Sequence, residues 1–224
     1  MPYHDTDLFM DLLSFVRPQV LAVIPSKIKG EIKIVESFGK KTLYVGGAEQ
    51  SGGTILPMWT SAVRIMKQFS NLTVKNCLVL GLGGGTIIKI LNSFYPQLAI
   101  TVVEVDPCML EATKKYFKSN LSPLVKVTIS DAFSFIKNKK LFGSFDLVVV
   151  DLYIGKLNPE RARRKDFLTA LKKLLKGNGS ILYNSHYEKR NEEDYQNFLK
   201  VCKKQFLQVS EILKYPYSRI LFLH

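Results

Sequence analysis

The sequence predicts an α/β protein on a mostly parallel seven-stranded sheet, with an antiparallel hairpin at its carboxyl-terminal end and a small β-hairpin ahead of it. Three observations carry this. Residues 78–106 pass from a short apolar run through glycines at alternate positions, Gly81, Gly83 and Gly85, into an amphipathic segment, then through a second apolar run ending at Glu104. Further apolar runs, of which FDLVVV at 145–150 is the most continuous, alternate with helical patterns, as suits parallel strands covered on both faces. The last two strand patterns, 208–213 and 219–223, are joined by Tyr215-Pro216-Tyr217-Ser218, too short for a crossover helix, so they must be antiparallel.

The segment 78–106 sets the chemistry. A backbone that turns sharply out of a strand and approaches a ligand closely needs residues without a β-carbon. A carboxylate about 20 residues further on can accept hydrogen bonds from ribose hydroxyls. The pattern reads as a nucleoside-binding βαβ unit, beside the plainer reading that the glycines only let strand and helix pack tightly.

In chain order, apolar residues at helical spacing over 5–15 predict a first helix. Alternation over 31–36, a turn at 38–41 and extension over 42–45 predict the hairpin. Gly46, Gly47, Gly52 and Gly53 then crowd a loop around Gln50 and Ser51, either a wall of the pocket or a connector. Pro57 is placed to start a helix whose buried stripe is Met58, Ala62, Ile65, Met66 and Phe69. After the nucleoside unit come a helix from Met109 to Lys118, a strand at 125–129, a short helix at 133–140 and the strand at 145–150. A basic helix over 161–176, closed by Gly177-Asn178-Gly179, leads to a fifth strand at 180–183, and a helix at 192–205 precedes the final hairpin. The expected division is 1–56 for the amino-terminal helix and hairpin and 57–224 for the nucleoside-binding domain.

A length of 224 residues fits one large domain with a small appendage. Lysine and arginine outnumber acids 32 to 19, a net charge of +13 that favours anionic partners. The basic residues are scattered over helix surfaces and no nucleic-acid motif accompanies them, so solvated faces weigh more than a nucleic-acid footprint. Cys77, Cys108 and Cys202 are isolated, with no CxxC pair and no histidine at metal-ligand spacing. Reduced thiols, a cytoplasmic setting and no metal are expected. The apolar stretch 8–24 is interrupted by Asp11, Arg17 and Pro18, which argues against a signal peptide or membrane span; it could pack on the domain or in a homodimer.

Glu104, Asp131 and Asp151 fall at successive carboxyl ends of predicted strands, with Asn184 and His186 after the fifth. In an open α/β sheet the ligand crevice lies outside those ends, so one site is expected to gather them. Asp106, before Pro107, is as well placed to cap a helix as to act.

GLGGG at 81–85, VEVDP at 103–107, SDAF at 130–133 and FDLVVVD at 145–151, together with GGAEQSGG at 46–53, resemble the spermidine synthase branch of the Rossmann-like class I methyltransferase fold. The resemblance implies that Gly81, Gly83 and Gly85 line a nucleoside, Glu104 holds its ribose, Asp131 and Ala132 meet its adenine edge, and Gln50 closes over it. The implied cofactor is S-adenosylmethionine or its decarboxylated form, and Asp151 matches the acid that helps deprotonate an attacking amine. Tyr153, Asn184 and His186 are the substrate-side candidates. The chain departs from the family where the glycine loop lacks its aspartate, where Leu152-Tyr153-Ile154-Gly155 replaces an acidic gate, and where Met58-Trp59-Thr60 replaces tyrosine-histidine-glutamate. A polycation needs several carboxylates and is repelled by a net charge of +13. The expected activity is therefore alkylation, most simply methylation, of an unidentified small-molecule acceptor; a divergent aminopropyl transfer and a non-catalytic nucleoside- or nucleic-acid-binding module are the alternatives.

Overall fold

The computed structural model describes residues 17–70, 72–121, 124–154 and 157–224; the helix expected over 5–15 lies outside them. Two sheets make up the chain. The smaller is antiparallel, in the order β1 (Gln19–Ser26), β2 (Gly30–Ser37), β3 (Lys40–Val45), β4 (Ala48–Ser51). The predicted hairpin is its middle pair. β1 was hidden inside an apolar stretch, because its residues alternate only partly between exposed and covered positions. Gly46 and Gly47, at φ of 55° and 75°, make the tight turn into β4, so the expected loop is a hairpin that carries Gln50 and Ser51 on a strand.

The larger sheet follows the helix α1 (Ile55–Phe69) and contains β5 (Asn76–Leu80), β6 (Ala99–Glu104), β7 (Val125–Ile129), β8 (Phe145–Val150), β9 (Leu175–His186), β10 (Val209–Tyr215) and β11 (Ser218–Leu223). Its spatial order is β10-β11-β9-β8-β5-β6-β7, parallel from β9 to β7 and antiparallel at β11 and β10. Between the strands run α2 (Thr86–Phe94), α3 (Pro107–Tyr116), α4 (Ala132–Phe135), α5 (Lys165–Leu174) and α6 (Glu192–Gln205).

Successive residues of β8 serve opposite cores. Leu147 and Val149 pack with α1 and α2, while Val148 and Val150 pack with α5 and α6, and all four are fully buried. A strand buried on both faces has no polar position to spare, which explains its unbroken apolar run. Chain order reverses at β5, which lies between β6 and β8. The crevice outside the carboxyl ends of β5 and β8 is thus the switch point where such sheets take ligands.

Three local expectations change. Helix α1 begins at Ile55, with Pro57 inside its first turn, where the missing N–H costs nothing. Phe69 is 85% exposed at the end of that helix and lies outside the buried stripe of Met58, Trp59, Ala62, Val63 and Met66. The run Gly177-Asn178-Gly179 does not stop a helix but lies inside β9; pairing advances from Phe145 to Leu147 on β8 while it advances from Leu175 to Ser180 on β9. The surplus residues bulge outward, and glycine is what such a bulge accommodates.

Candidate active site

Two cavities open at the carboxyl ends of β5, β6, β7 and β8. The first, of about 310 Å³, is bordered by Gln50, Gly81, Gly83, Glu104, Asp131, Ala132 and Asp151. Gly85, expected beside them, borders neither cavity: it precedes α2 at φ 76°, where a β-carbon would stand 3.0 Å from that of Asn120. The other two alternate glycines bring backbones together. A β-carbon on Gly81 would lie 2.4 Å from the Asp151 carbonyl oxygen, and one on Gly83 would lie 2.6 Å from that of Gln50. Ser51 Oγ is hydrogen-bonded to Thr86 Oγ1, which also accepts the Gly52 N–H at 3.1 Å, so β4 is fastened to the start of α2 and Gln50 is set over the glycine loop.

Glu104 is only 2% exposed. Its Oε2 accepts the Leu82 N–H at 3.0 Å, and its Oε1 accepts the N–H groups of Val105 and Asp106, each at 3.0 Å. Lys29, in the turn between β1 and β2, places Nζ 3.1 Å from the same Oε1. That turn is pinned: Ser26 Oγ accepts the N–H groups of Ile28 and Lys29 at 3.0 Å and donates to Asp106 Oδ2. Asp106 also caps α3, its Oδ1 accepting the Cys108 N–H at 2.9 Å. Asp131 likewise caps α4 while bordering the cavity, its Oδ1 accepting the N–H of Ser134 at 2.9 Å and its hydroxyl at 3.0 Å.

The second cavity, of about 600 Å³, is bordered by Tyr153, Asn184 and His186, and it shares Gln50, Asp151 and Tyr153 with the first. Asp151 therefore stands where the two meet. Its backbone N–H donates to Leu80 O at 2.9 Å, and its Oδ1 accepts from Asn184 Nδ2 at 2.8 Å. Burial pushes the Asp151 carboxyl up to about 6, against the opposing pull of Asn184, the Trp59 side chain and the Lys29 charge. Asn184 and His186 are 2% and 3% exposed, and neither Asn184 Oδ1 nor His186 Nε2 has a hydrogen-bond partner. That same His186 Nε2 is 3.6 Å from Glu188 Oε1, an ion pair when the ring is protonated, and burial lowers the histidine's pKa below its usual value, with Glu188 opposing.

Lys29 and Asn158 were not among the residues singled out in the sequence. Asn158 donates through Nδ2 to Leu152 O at 2.9 Å and Asn184 O at 3.1 Å, and accepts the His186 N–H at 2.6 Å, holding the end of β9 to the loop after β8. Both lie in irregular segments with no motif, so only the tertiary fold reveals them. Among the described residues no group of three histidine, cysteine or acidic side chains could hold a metal, and no helix is long and apolar enough to cross a membrane.

The strand order, the acids at the strand ends and the two joined cavities define the class I S-adenosylmethionine-dependent transferase fold. Residues 56–216 match the spermine/spermidine synthase domain, and the chain belongs to that family. It is 32% identical over 109 residues to the polyamine aminopropyltransferase of Vibrio vulnificus (strain CMCP6), covering 48% of this chain and 36% of that protein. It is also 32% identical over 117 residues to the eEF1A lysine and N-terminal methyltransferase homolog of Drosophila pseudoobscura pseudoobscura, covering 49% of this chain and 17% of that protein. The chain thus spans about a third of the first relative's length and less of the second's. A spermidine synthase solved in complex with the transition state analogue AdoDATO superposes with a TM-score of 0.74 at 18% identity, over 92% of this chain and 73% of that one. Both kinds of relative are S-adenosyl-type transferases.

Proposed function

We propose that the chain holds S-adenosylmethionine or a related S-adenosyl nucleoside in the first cavity and alkylates an amine in the second, most simply by methyl transfer. The observation that carries this is the position of Asp151, which borders both cavities and is bonded to Asn184 at 2.8 Å. The glycine turn fits such a nucleoside, since a side chain at Gly81 or Gly83 would push back the backbone of Asp151 or Gln50, both of which border the crevice. When bound, the S-adenosyl group supplies an electrophilic carbon: the amine lone pair forms the new C–N bond, the C–S electron pair leaves on sulfur as a thioether, and nitrogen sheds a proton. Asp151, ionised above about 6, pairs with the incoming ammonium and takes the proton it must lose before its lone pair can attack. Gln50 roofs the nucleoside, Gly81 and Gly83 form its floor, Glu104 accepts from its ribose, and Asp131 with Ala132 meet the adenine edge. In this reading the chain divides into 1–56, the amino-terminal region, and 57–224, the nucleoside-binding domain, working in the cytoplasm.

The family match favours a second reading, aminopropyl transfer from decarboxylated S-adenosylmethionine. Thermal shift with S-adenosylmethionine, its decarboxylated form and methylthioadenosine separates the two. A larger shift with S-adenosylmethionine supports methyl transfer. A larger shift with the decarboxylated form, together with spermidine formed from putrescine, replaces it with the second reading, and no shift with any of the three removes both.

A further inference from the structure

We infer that the indole N–H of Trp59 is the donor that closes on the Asp151 carboxylate once that group has lost its proton, so that Trp59 is the positioning residue of the base. The inference rests on the proposal that Asp151 serves an amine in the second cavity as its base.

Trp59 lies on α1, in the buried stripe that packs against β8, and is 0% exposed. Its Nε1 is buried and makes no hydrogen bond. Leaving such a donor unpaired is costly. Trp59 borders neither cavity, so a ligand held in either one does not reach it. The acceptor beside the indole is the Asp151 carboxyl. The next residue along α1 confirms the neighbourhood, since Met58 shares the wall of the second cavity with Asp151.

Asp151 is fixed from its other sides. Its backbone N–H donates to Leu80 O at 2.9 Å, and Asn184 Nδ2 donates to its Oδ1 at 2.8 Å. A protonated carboxyl is a poor acceptor, whereas a carboxylate takes an N–H in a charge-assisted bond roughly twice as strong as a neutral one. Ionisation therefore creates the partner that the indole lacks. The new bond opposes the burial that favours the protonated form, and Asn184 and Trp59 then grip the carboxylate from two elements, β9 and α1. Other charged groups stand around it. Lys29 favours the ionised form from the β1–β2 turn, and Glu104 and Asp131 border the first cavity with it. Glu49, Tyr153, His186 and Glu188 border the second. Of these, His186 changes charge nearest to the range of Asp151, so the test has to tell the two apart.

Trp59 is the only tryptophan in the sequence, so the indole emission of the protein comes from this one ring. Excitation moves electron density from the pyrrole ring toward the benzene ring, so a negative charge at Nε1 stabilises the excited state and shifts emission to the red. The expected result is a red shift as pH rises from 4.5 to 8, with its midpoint at about 6, retained in His186→Gln and absent in Asp151→Asn. Trp59→Phe keeps most of the ring and loses the donor. In that variant the Asp151 carboxyl, followed by carbon NMR and assigned through Asp151→Asn, should titrate at least about one pH unit higher. Emission that stays constant or moves to the blue, a transition that persists in Asp151→Asn, or a carboxyl titration unmoved in Trp59→Phe overturns the inference. The emission measurement leaves position 59 intact and decides the question alone if Trp59→Phe does not fold. Thermal shift with S-adenosylmethionine and its relatives tests the underlying proposal separately: no shift removes the transfer reaction and leaves the pairing of Trp59 with Asp151 standing.

Discussion

Lys29 Nζ lies 3.1 Å from Glu104 Oε1, joining the first turn of the small sheet to the acid at the end of β6. Glu104 would nevertheless stay ordered without that lysine, because three backbone N–H groups converge on its two oxygens. Glu104→Ala should therefore lose nucleoside affinity and also leave three buried donors unpaired, a loss of about 2–4 kcal/mol. Lys29→Ala should cost less than Glu104→Ala, since the carboxylate keeps its amide donors and loses only its counter-charge. Denaturant melts and calorimetry with methylthioadenosine check both; equal losses in the two variants would refute this division of roles.

Asp151→Asn is expected to reduce turnover by at least about 100-fold, the usual worth of a positioned acid or base, while nucleoside affinity changes less than threefold. An equally active variant would take Asp151 out of the mechanism.

The same carboxyl governs pH dependence. Its pKa rises on folding from 3.8 to about 6, so the neutral form is the one the fold favours, and stability falls as pH rises across that window. Asp151→Asn should accordingly raise the melting temperature at pH 7 by up to about 6–12 °C, corresponding to up to about 3 kcal/mol, and have no effect at pH 3.5. Activity should run the opposite way, climbing as pH passes about 6 and the carboxyl ionises. A rate profile flat from pH 5 to 8 would contradict the assignment.

Gly83→Ala is expected to be disruptive for two independent reasons. Its φ of 50° is strained for a residue with a side chain, and the new methyl would stand 2.6 Å from Gln50 O. Displacing Gln50 should weaken nucleoside binding more than tenfold. Gly177→Ala has nothing within 4 Å and should bind normally, so titrating both variants provides an internal control.

The sheet was legible because β5, β6 and β8 are buried on both faces and could be nothing but apolar runs, and the acids ending three of the strands follow directly from that order. The small sheet was half legible: the β2–β3 hairpin alternates cleanly, whereas β1 covers its apolar residues only partly and offers no period. Glycines misled in both directions. Gly46 and Gly47 read as part of a loop, either a pocket wall or a connector, but turn a hairpin, and Gly177 and Gly179 looked like a helix stop but belong to a bulge. Carboxylates also looked simpler in sequence than they are. The second cavity does have acids at its border, Glu49 and Glu188, and only the tertiary structure shows that Glu188 is paired with Arg190 while Glu49 accepts neutral donors at the start of α1.

The contact of Gly83 and Gly84 with Gln50 and Ser51 makes the floor and roof of the first cavity a single object. A β-carbon on Gly84 would fall 2.6 Å from Ser51 Oγ, just as one on Gly83 would meet Gln50. Neither surface can drift in sequence alone: a larger residue in the loop demands retreat of the strand above it, and retreat of that strand abandons Thr86. Transplanting the glycine motif into another protein would carry half of the cavity wall, and the inheritable unit is the pair, drawn from segments more than thirty residues apart.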